Sequence, residues 1–225
     1  MIRAVVFDLD DTLYPATECY EQGRLTLETF CTTHFQITRD QFNESFVKAK
    51  QIVKQQLGNT AASHNRMLYC QTLCELLSIH PLSYALKMYD MYWESAMREM
   101  VCYPFVRPLF YKLRGKNVKI GILTDLTAHI QYRKLKQLGI IDAVDAIVTS
   151  EEVGTEKPDP KMFVRISEKL KIKPRETLMV GDNIVKDISG ARSAGVVGYW
   201  VARKRTDEVI KEILSYIDNF LETRG

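Results

Sequence analysis

Residues 2–13 read IRAVVFDLDDTL, a stretch that carries signals for both the fold class and a site. The predominantly apolar run from Ile2 to Phe7 suits a β-strand that is buried on both faces, as in a parallel sheet. Asp8 and Asp10 follow at once, so two carboxylates stand just beyond the end of this strand. Open α/β sheets bind their ligands at the carboxyl ends of the strands. The stretch therefore predicts a buried strand that presents two carboxylates to a site.

Beyond residue 104, strand patterns alternate with helix patterns. The strand candidates are residues 118–123, 144–148, 177–180 and 196–201. The helix candidates are a segment ending near residue 135 and residues 160–170, 188–193 and 206–221. Alternating strands and helices are typical of a parallel sheet covered on both faces. We therefore predict an α/β fold with a Rossmann-like, doubly wound parallel sheet as its core.

The stretch from residue 16 to residue 103 has few residues that interrupt helices. Before residue 115 the only glycines are Gly23 and Gly58, and Pro81 is the only proline between Pro15 and Pro104. Such a stretch predicts helices, about four of them at this length. The expected organisation is a core formed by residues 1–15 and 104–225, with an all-helical cap, residues 16–103, inserted after the first strand.

Composition and charge exclude several classes of protein. The chain has 225 residues, of which 46% are hydrophobic, as is usual for a globular protein and not for a disordered one. Lysine and arginine number 31 against 28 acidic residues, a formal net charge of +3. The strongest basic run, Arg203-Lys204-Arg205, is typical of a solvated turn, so we expect no nucleic-acid partner.

Nothing in the sequence predicts a membrane or an export signal. No window approaches the roughly 18 consecutive apolar residues that a membrane-spanning helix needs. The apolar run at the N-terminus ends too early for a signal peptide, so we expect a cytoplasmic protein without a membrane partner. An odd number of cysteines, five, favours reduced thiols. The sequence leaves the oligomeric state open.

The carboxylate pair after the first strand predicts a metal site. Asp8 and Asp10 point the same way if the chain stays extended, and two adjacent anions repel unless a cation or a proton lies between them. Hard carboxylate oxygens suit Mg²⁺. The alternative is an ordinary turn or helix cap, in which aspartate is also common.

Two further signals predict phosphate binding. Thr124 ends the apolar run 120–123, and a hydroxyl followed by backbone N–H groups at such a turn can hold a phosphate. Asp125 follows it, and its carboxylate would repel phosphate if it faced the same way. Lys157 stands beside Pro158 and can neutralise a phosphoryl oxygen. Each signal also has an ordinary interpretation, a helix cap for the threonine and a solvated side chain for the lysine.

The fourth signal is Gly181-Asp182-Asn183, at the end of another predicted strand. Glycine allows a close backbone approach, and Asp182 would face the same edge of the sheet as the first carboxylates. Asp187 lies near the start of the next helix, within reach of the site or of a lysine.

Taken together, the four signals resemble the haloacid dehalogenase-like superfamily of hydrolases, in the branch whose helical cap lies between the first and second motifs. The opening signature Phe7-Asp8-Leu9-Asp10-Asp11-Thr12-Leu13 matches closely. Thr124, Lys157 and Gly181-Asp182 with Asp187 supply the other motifs, in the same order. Dehalogenating members lack the second acid of the opening motif, and Asp10 is present here. The resemblance therefore implies a phosphatase.

The resemblance also implies roles for the residues that match its motifs. Asp8 would be the nucleophile and form an aspartyl-phosphate. Asp10 would protonate the leaving alcohol and then deprotonate the attacking water. Mg²⁺ would be held by Asp8, the backbone carbonyl of Asp10 and Asp182.

The remaining motif residues would bind phosphate or support the site. Thr124, the backbone N–H of Asp125 and Lys157 would hold the transferring phosphoryl group. Asp187 would orient Lys157 or a metal-bound water. Thr12, in the first motif, would shape its loop, and Asn183 would support the fourth motif.

The expected function is hydrolysis of a small phosphorylated metabolite with Mg²⁺ as cofactor. Two alternatives stay open, a sugar phosphomutase of the same fold and a non-catalytic binding protein. The substrate also stays open among sugar phosphates, phosphoglycolate, glyceraldehyde phosphate and nucleotides, because the cap residues that would select it cannot be identified from the sequence.

Overall fold

The computed structural model of the chain describes residues 1–201 and 207–222. The basic run Arg203–Arg205 lies outside the described residues. The chain forms two compact units, one of Met1–Pro15 with Val101–Gly225 and one of Ala16–Met100. We call them the core unit and the cap unit.

The core unit contains a five-stranded parallel sheet in the order β3-β2-β1-β4-β5. Its strands are β1 Ala4–Phe7, β2 Lys119–Thr124, β3 Ala146–Thr149, β4 Thr177–Gly181 and β5 Val197–Trp200. The prediction of a Rossmann-like, doubly wound parallel sheet is confirmed. Each strand lies within two residues of its expected position.

Strand β1 is central, and Phe7 lies opposite Ile122 of β2 on one side and Val180 of β4 on the other. The chain builds the sheet outward from β1 in both directions, so the strand order reverses there. Such a reversal leaves a crevice at the carboxyl ends of the neighbouring strands. The residues that follow β1, β2 and β4 are therefore brought together at one edge.

The cap unit is helical. Its α-helices are α1 Ala16–His34, α2 Arg39–Leu57, α3 Arg66–Leu76 and α4 Pro81–Arg98, with a short 3₁₀ turn at Ala61–His64. Residues at the helix starts fix where the helices begin: Thr38 and Asn65 cap α2 and α3 with their side chains, and Pro81 opens α4.

Helices cover the sheet of the core unit. They are α5 Val106–Gly115, α6 Ala128–Gln137, α7 Ser150–Val153, α8 Pro160–Leu170, α9 Gly190–Ser193 and α10 Asp207–Glu222, with a π-helical turn at Ile184–Ser189. Helices α5 and α7 were not expected from the sequence. Pro108 is compatible with α5 because it lies in the first helical turn, where no backbone donor is needed.

A tightly packed core fixes the strands that carry the site. Val6, Leu123, Val148 and Met179 of the sheet pack against one face of α8. The helix contributes Met162, Phe163, Ile166 and Leu170, all at most 1% exposed. None of the helices within residues 1–201 and 207–222 is long and apolar enough to cross a bilayer. No disulfide joins any of the five cysteines, all of which lie in the described part.

Candidate active site

A buried lysine joins two carboxylates at the edge of the sheet. Lys157, in the loop before α8, donates from Nζ to Asp8 Oδ1 and to Asp187 Oδ1, both at 2.6 Å. All three side chains are buried, at 9% exposure or less. Asp8 directly follows β1, and Asp187 lies in the π-helical turn after β4. Residues far apart in sequence thus meet because β1 and β4 are neighbours.

A threonine hydroxyl links the first motif to the fourth. Thr12 Oγ1 lies 3.2 Å from both Asp8 Oδ2 and Asp182 Oδ1, and it accepts from the backbone N–H of Asp182 at 3.1 Å. The loop that brings Thr12 back to the site turns at Asp11, whose φ is 59°. Aspartate tolerates this left-handed conformation better than most residues.

The electrostatics of this cluster are dominated by burial and crowding. Burial, with the charge of Asp187 adding to it, raises the pKa of Asp8 well above its ordinary value, although Lys157 acts in the opposite direction. Burial also raises the pKa of Asp182, with Asp187 and Asp11 contributing. For Lys157, burial favours the neutral form, but the surrounding carboxylates outweigh it and raise its pKa, so the ammonium stays charged.

The same residues fit a divalent cation. Carboxylate oxygens of Asp8, Asp182 and Asp187 all lie within 4.8 Å of one another. When all three carboxylates are ionised, the one ammonium leaves two negative charges over, which a divalent ion would balance. An oxygen-only donor set suits Mg²⁺. The predicted ligands Asp8 and Asp182 are in this group, Asp187 joins it, and the carboxylate of Asp10 does not.

The carboxylate of Asp10 is instead held by two residues of the core unit. Lys134 of α6 donates from Nζ to both carboxylate oxygens at 2.8 Å, and the Tyr14 hydroxyl donates to Oδ1 at 2.7 Å. The lysine side chain is 0% exposed. Asp10 itself is only partly buried, so this carboxylate is oriented from behind while one side stays accessible.

The loop after β2 is fixed by a buried glutamine. Gln131 of α6 donates from Nε2 to Thr124 Oγ1 and to the carbonyl of Asp125, both at 2.6 Å. Leu126 has a φ of 96°, which non-glycine residues seldom adopt, and its N–H donates to Ser150 Oγ at 2.9 Å. Thr124 is therefore at the expected strand end, with its hydroxyl bonded to protein groups.

The side chain of Asp125 is bound to a second lysine. Its Oδ2 accepts from Lys186 Nζ at 2.8 Å, and its Oδ1 accepts from the backbone N–H of Lys157 at 3.0 Å. Lys186 also contacts Glu156 Oε2 at 3.2 Å. The negative charge of Asp125 is thus neutralised within the protein. Asp125 therefore repels phosphate much less than its sequence position suggested.

Gly181 is required by the position of Asp187. A Cβ atom at residue 181 would lie 2.3 Å from Asp187 Oδ2, well inside van der Waals contact. That oxygen accepts from the backbone N–H of Asn183 at 3.0 Å, and the Asn183 side chain caps the following turn by accepting from two N–H groups. The fourth motif therefore sets the orientation of Asp187, and through it that of Lys157.

The structure brings most of the predicted residues into one network and adds several that the sequence analysis did not single out for the site. Asp8, Thr12, Asp125, Lys157, Asp182, Asn183 and Asp187 are connected by the hydrogen bonds above. The residues missed are Gln131, Lys134, Glu156 and Lys186. One signal for Lys134 was available: it lies at helical spacing between the buried Ile130 and Leu138, where an apolar residue is expected.

A doubly wound sheet with buried carboxylates and a lysine at its switch point defines an α/β protein with a candidate metal and anion site. Comparison with known proteins identifies the family. A family model described as haloacid dehalogenase-like hydrolase matches residues 2–195. The chain belongs to this family of hydrolases.

Named relatives and solved structures extend the comparison. The chain is 38% identical over 198 residues to the ribulose-1,5-bisphosphate 5-phosphatase of Halopiger xanaduensis, covering 87% of this chain and 83% of that one. It is 32% identical over 209 residues to the glyceraldehyde 3-phosphate phosphatase of Methanopyrus kandleri, covering 93% and 88%. The crystal structure of a phosphatase of this family from Thermococcus onnurineus covers 95% of this chain and 98% of that chain, with a TM-score of 0.74 at 24% identity, and so supports the fold.

Proposed function

We propose that the protein is a Mg²⁺-dependent phosphatase that hydrolyses a small phosphorylated sugar through an aspartyl-phosphate on Asp8. The observation that carries this proposal is the Asp8 carboxylate, buried after β1 and held by Lys157 at 2.6 Å. The names of the relatives support a phosphate monoester of a three- to five-carbon sugar as the substrate class.

In the first step, an oxygen of Asp8 bonds to phosphorus and the ester P–O bond breaks. Asp10 gives its proton to the leaving alkoxide, which departs as an alcohol. Lys134 and Tyr14 hold the carboxyl group of Asp10 in place for this transfer.

In the second step, water attacks phosphorus and the bond between phosphorus and the Asp8 oxygen breaks. Asp10, now a carboxylate, accepts the proton of the water, and Lys134 and Tyr14 keep it oriented. Inorganic phosphate leaves and both carboxyl groups return to their starting forms. One carboxylate as nucleophile and a second as acid and base divide one difficult displacement into two easier ones.

The cation would be held by aspartates of the first and fourth motifs. Asp8 and Asp182 would hold Mg²⁺, with Asp187 close by. When bound, the ion would neutralise the negative charge that gathers between the nucleophile and the transferring phosphoryl group. Lys157 contributes a fixed positive charge to the same region and lowers the pKa of Asp8, which favours its ionised form.

The test is phosphate release from p-nitrophenyl phosphate and from glyceraldehyde 3-phosphate, with Mg²⁺ and with excess EDTA. Asp8→Asn keeps the side-chain size and removes the nucleophile, so activity should fall at least about a thousandfold, as for other covalent nucleophiles. Asp142→Asn, at an exposed position of the same unit, is the matched control and should keep full activity. Substantial turnover by purified, folded Asp8→Asn would refute the assignment.

A further inference from the structure

The cap unit contains a small cavity that lies between its four helices. Its volume is about 260 Å³, just below the roughly 300 Å³ at which pockets for drug-sized ligands begin. Tyr20, Glu21, Arg24, Lys50 and Arg66 are among the residues that line it. A cavity of this size accommodates a small ion or one substituent of a larger molecule.

Arg66 occupies an aromatic cage at this cavity. Its guanidinium carbon lies 4.7 Å from the ring centroid of Tyr20, 5.4 Å from that of Trp93, and 5.6 and 5.7 Å from those of Tyr69 and Tyr92. Nη1 donates to the carbonyl of His64 at 2.8 Å. Aromatic faces attract the cation and fix its plane, but they do not neutralise its charge.

The carboxylates near this cavity are bound to Arg24. Glu21 contacts Arg24 at 2.6 to 3.0 Å, and Glu28 binds the same guanidinium at 2.8 Å. Within the described part of the chain, neither Arg66 nor Lys50 forms an ion pair with a carboxylate. Partial burial, with the charges of Arg66 and Lys54 contributing, lowers the pKa of Lys50.

Arg66 and Lys50 face one cavity and repel each other. Glu21 also lines this cavity, but its carboxylate is bound to Arg24. We propose that this cavity is a binding site for a phosphate dianion, held by Arg66 and Lys50. A dianion balances both charges, whereas a single carboxylate would balance one. The planar guanidinium suits two parallel hydrogen bonds to phosphate oxygens. Every residue that lines the cavity belongs to the cap unit, and we assign the phosphate to a ligand that is separate from the substrate.

Binding is tested by titrating inorganic phosphate into full-length protein and following Trp93 fluorescence. Trp200→Phe, used as the parent, leaves Trp93 as the sole tryptophan, since the chain has two.

We expect a saturable change of fluorescence in the parent and a dissociation constant at least tenfold larger in Lys50→Met. Lys54→Met, an exposed lysine of the same helix, should bind as the parent does. Arg66→Lys keeps the charge but loses the planar fork, and should bind more weakly than the parent. A parent without a saturable response, or equal affinity in all four proteins, would overturn the proposal.

A kinetic comparison tests whether the ligand is separate from the substrate, and this arm alone depends on the proposed function. In Lys50→Met, ribulose 1,5-bisphosphate and p-nitrophenyl phosphate should both keep their kcat/KM within twofold although the Trp93 titration is weakened. A loss of kcat/KM of tenfold or more for ribulose 1,5-bisphosphate alone would overturn the assignment to a separate ligand. Absence of turnover in the unmodified protein would contradict the proposed function and leave the fluorescence result as the test of the cavity.

Discussion

Replacing Lys157 by methionine tests the electrostatic account of the site most sharply. The ammonium is 3% exposed and lies 2.6 Å from oxygens of both Asp8 and Asp187. Methionine keeps most of the side-chain volume, so the principal loss is the charge. Removing one partner of a buried ion pair costs about 3–5 kcal/mol, because the remaining charge stays buried without compensation. We expect a loss of unfolding free energy of this size at pH 7.5 in excess EDTA.

The loss of unfolding free energy in Lys157→Met should become smaller as the pH falls. Without Lys157, which lowers it, the pKa of Asp8 rises further above its ordinary value. A carboxyl group whose pKa is raised in the folded state destabilises the fold fully when the pH is above that raised pKa. The destabilisation disappears as the pH falls toward the pKa of the same group in the unfolded chain, about 4. The deficit of Lys157→Met relative to the unmodified protein should therefore be smaller at pH 5.5 than at pH 7.5.

Urea denaturation followed by circular dichroism measures both quantities. Lys161→Met is the matched control, because Lys161 is exposed in the first turn of α8, and it should stay within about 0.5 kcal/mol of the unmodified protein. A Lys157→Met variant as stable as the control at pH 7.5, or one whose deficit is unchanged at pH 5.5, would refute the reasoning.

Two further substitutions test how the site is held. Gly181→Ala places a methyl group 2.3 Å from the present position of Asp187 Oδ2, so it should lower kcat for p-nitrophenyl phosphate at least tenfold. Gly115→Ala meets no atom within 4 Å and should leave kcat unchanged; equal rates for the two variants would contradict the steric argument. Lys134→Met removes the cation behind the general acid and base and should reduce kcat by about 10²-fold, within the range that general acid–base catalysis contributes. Lys136→Met, exposed on the same helix, should retain normal kcat, and a similar loss in both would assign the effect to the helix rather than to the ion pair.

Apart from helices α5 and α7, the order and type of the core elements could be predicted because their signals are local. The apolar run before Asp8 and the alternation after residue 104 each specify a strand or helix from neighbouring residues alone. The same logic placed the motif residues at strand ends. Strand order did not follow from these patterns, because pairing of β1 with β4 joins segments more than 160 residues apart.

The polar network of the site was harder to predict for a related reason. Lys134 and Gln131 contact the motifs only because α6 packs beside them, and a single charged residue on a helix is usually solvated. Lys186 and Glu156 look like ordinary surface residues in the sequence. Their roles depend on distances of about 3 Å between separate loops, which no spacing rule encodes.

The central claim is that Asp8 carries the phosphoryl group during turnover. Its most direct test is acid quenching of the Asp10→Asn variant during reaction with ³²P-labelled p-nitrophenyl phosphate. The p-nitrophenolate leaving group departs without a proton, so the intermediate still forms, and loss of the base slows its hydrolysis and lets it accumulate. We predict protein-bound label approaching one phosphoryl group per chain, released by hydroxylamine, located in the peptide that contains Asp8 and absent from the double variant with Asp8→Asn. Label on a different residue, or label that persists in the double variant, would contradict the account.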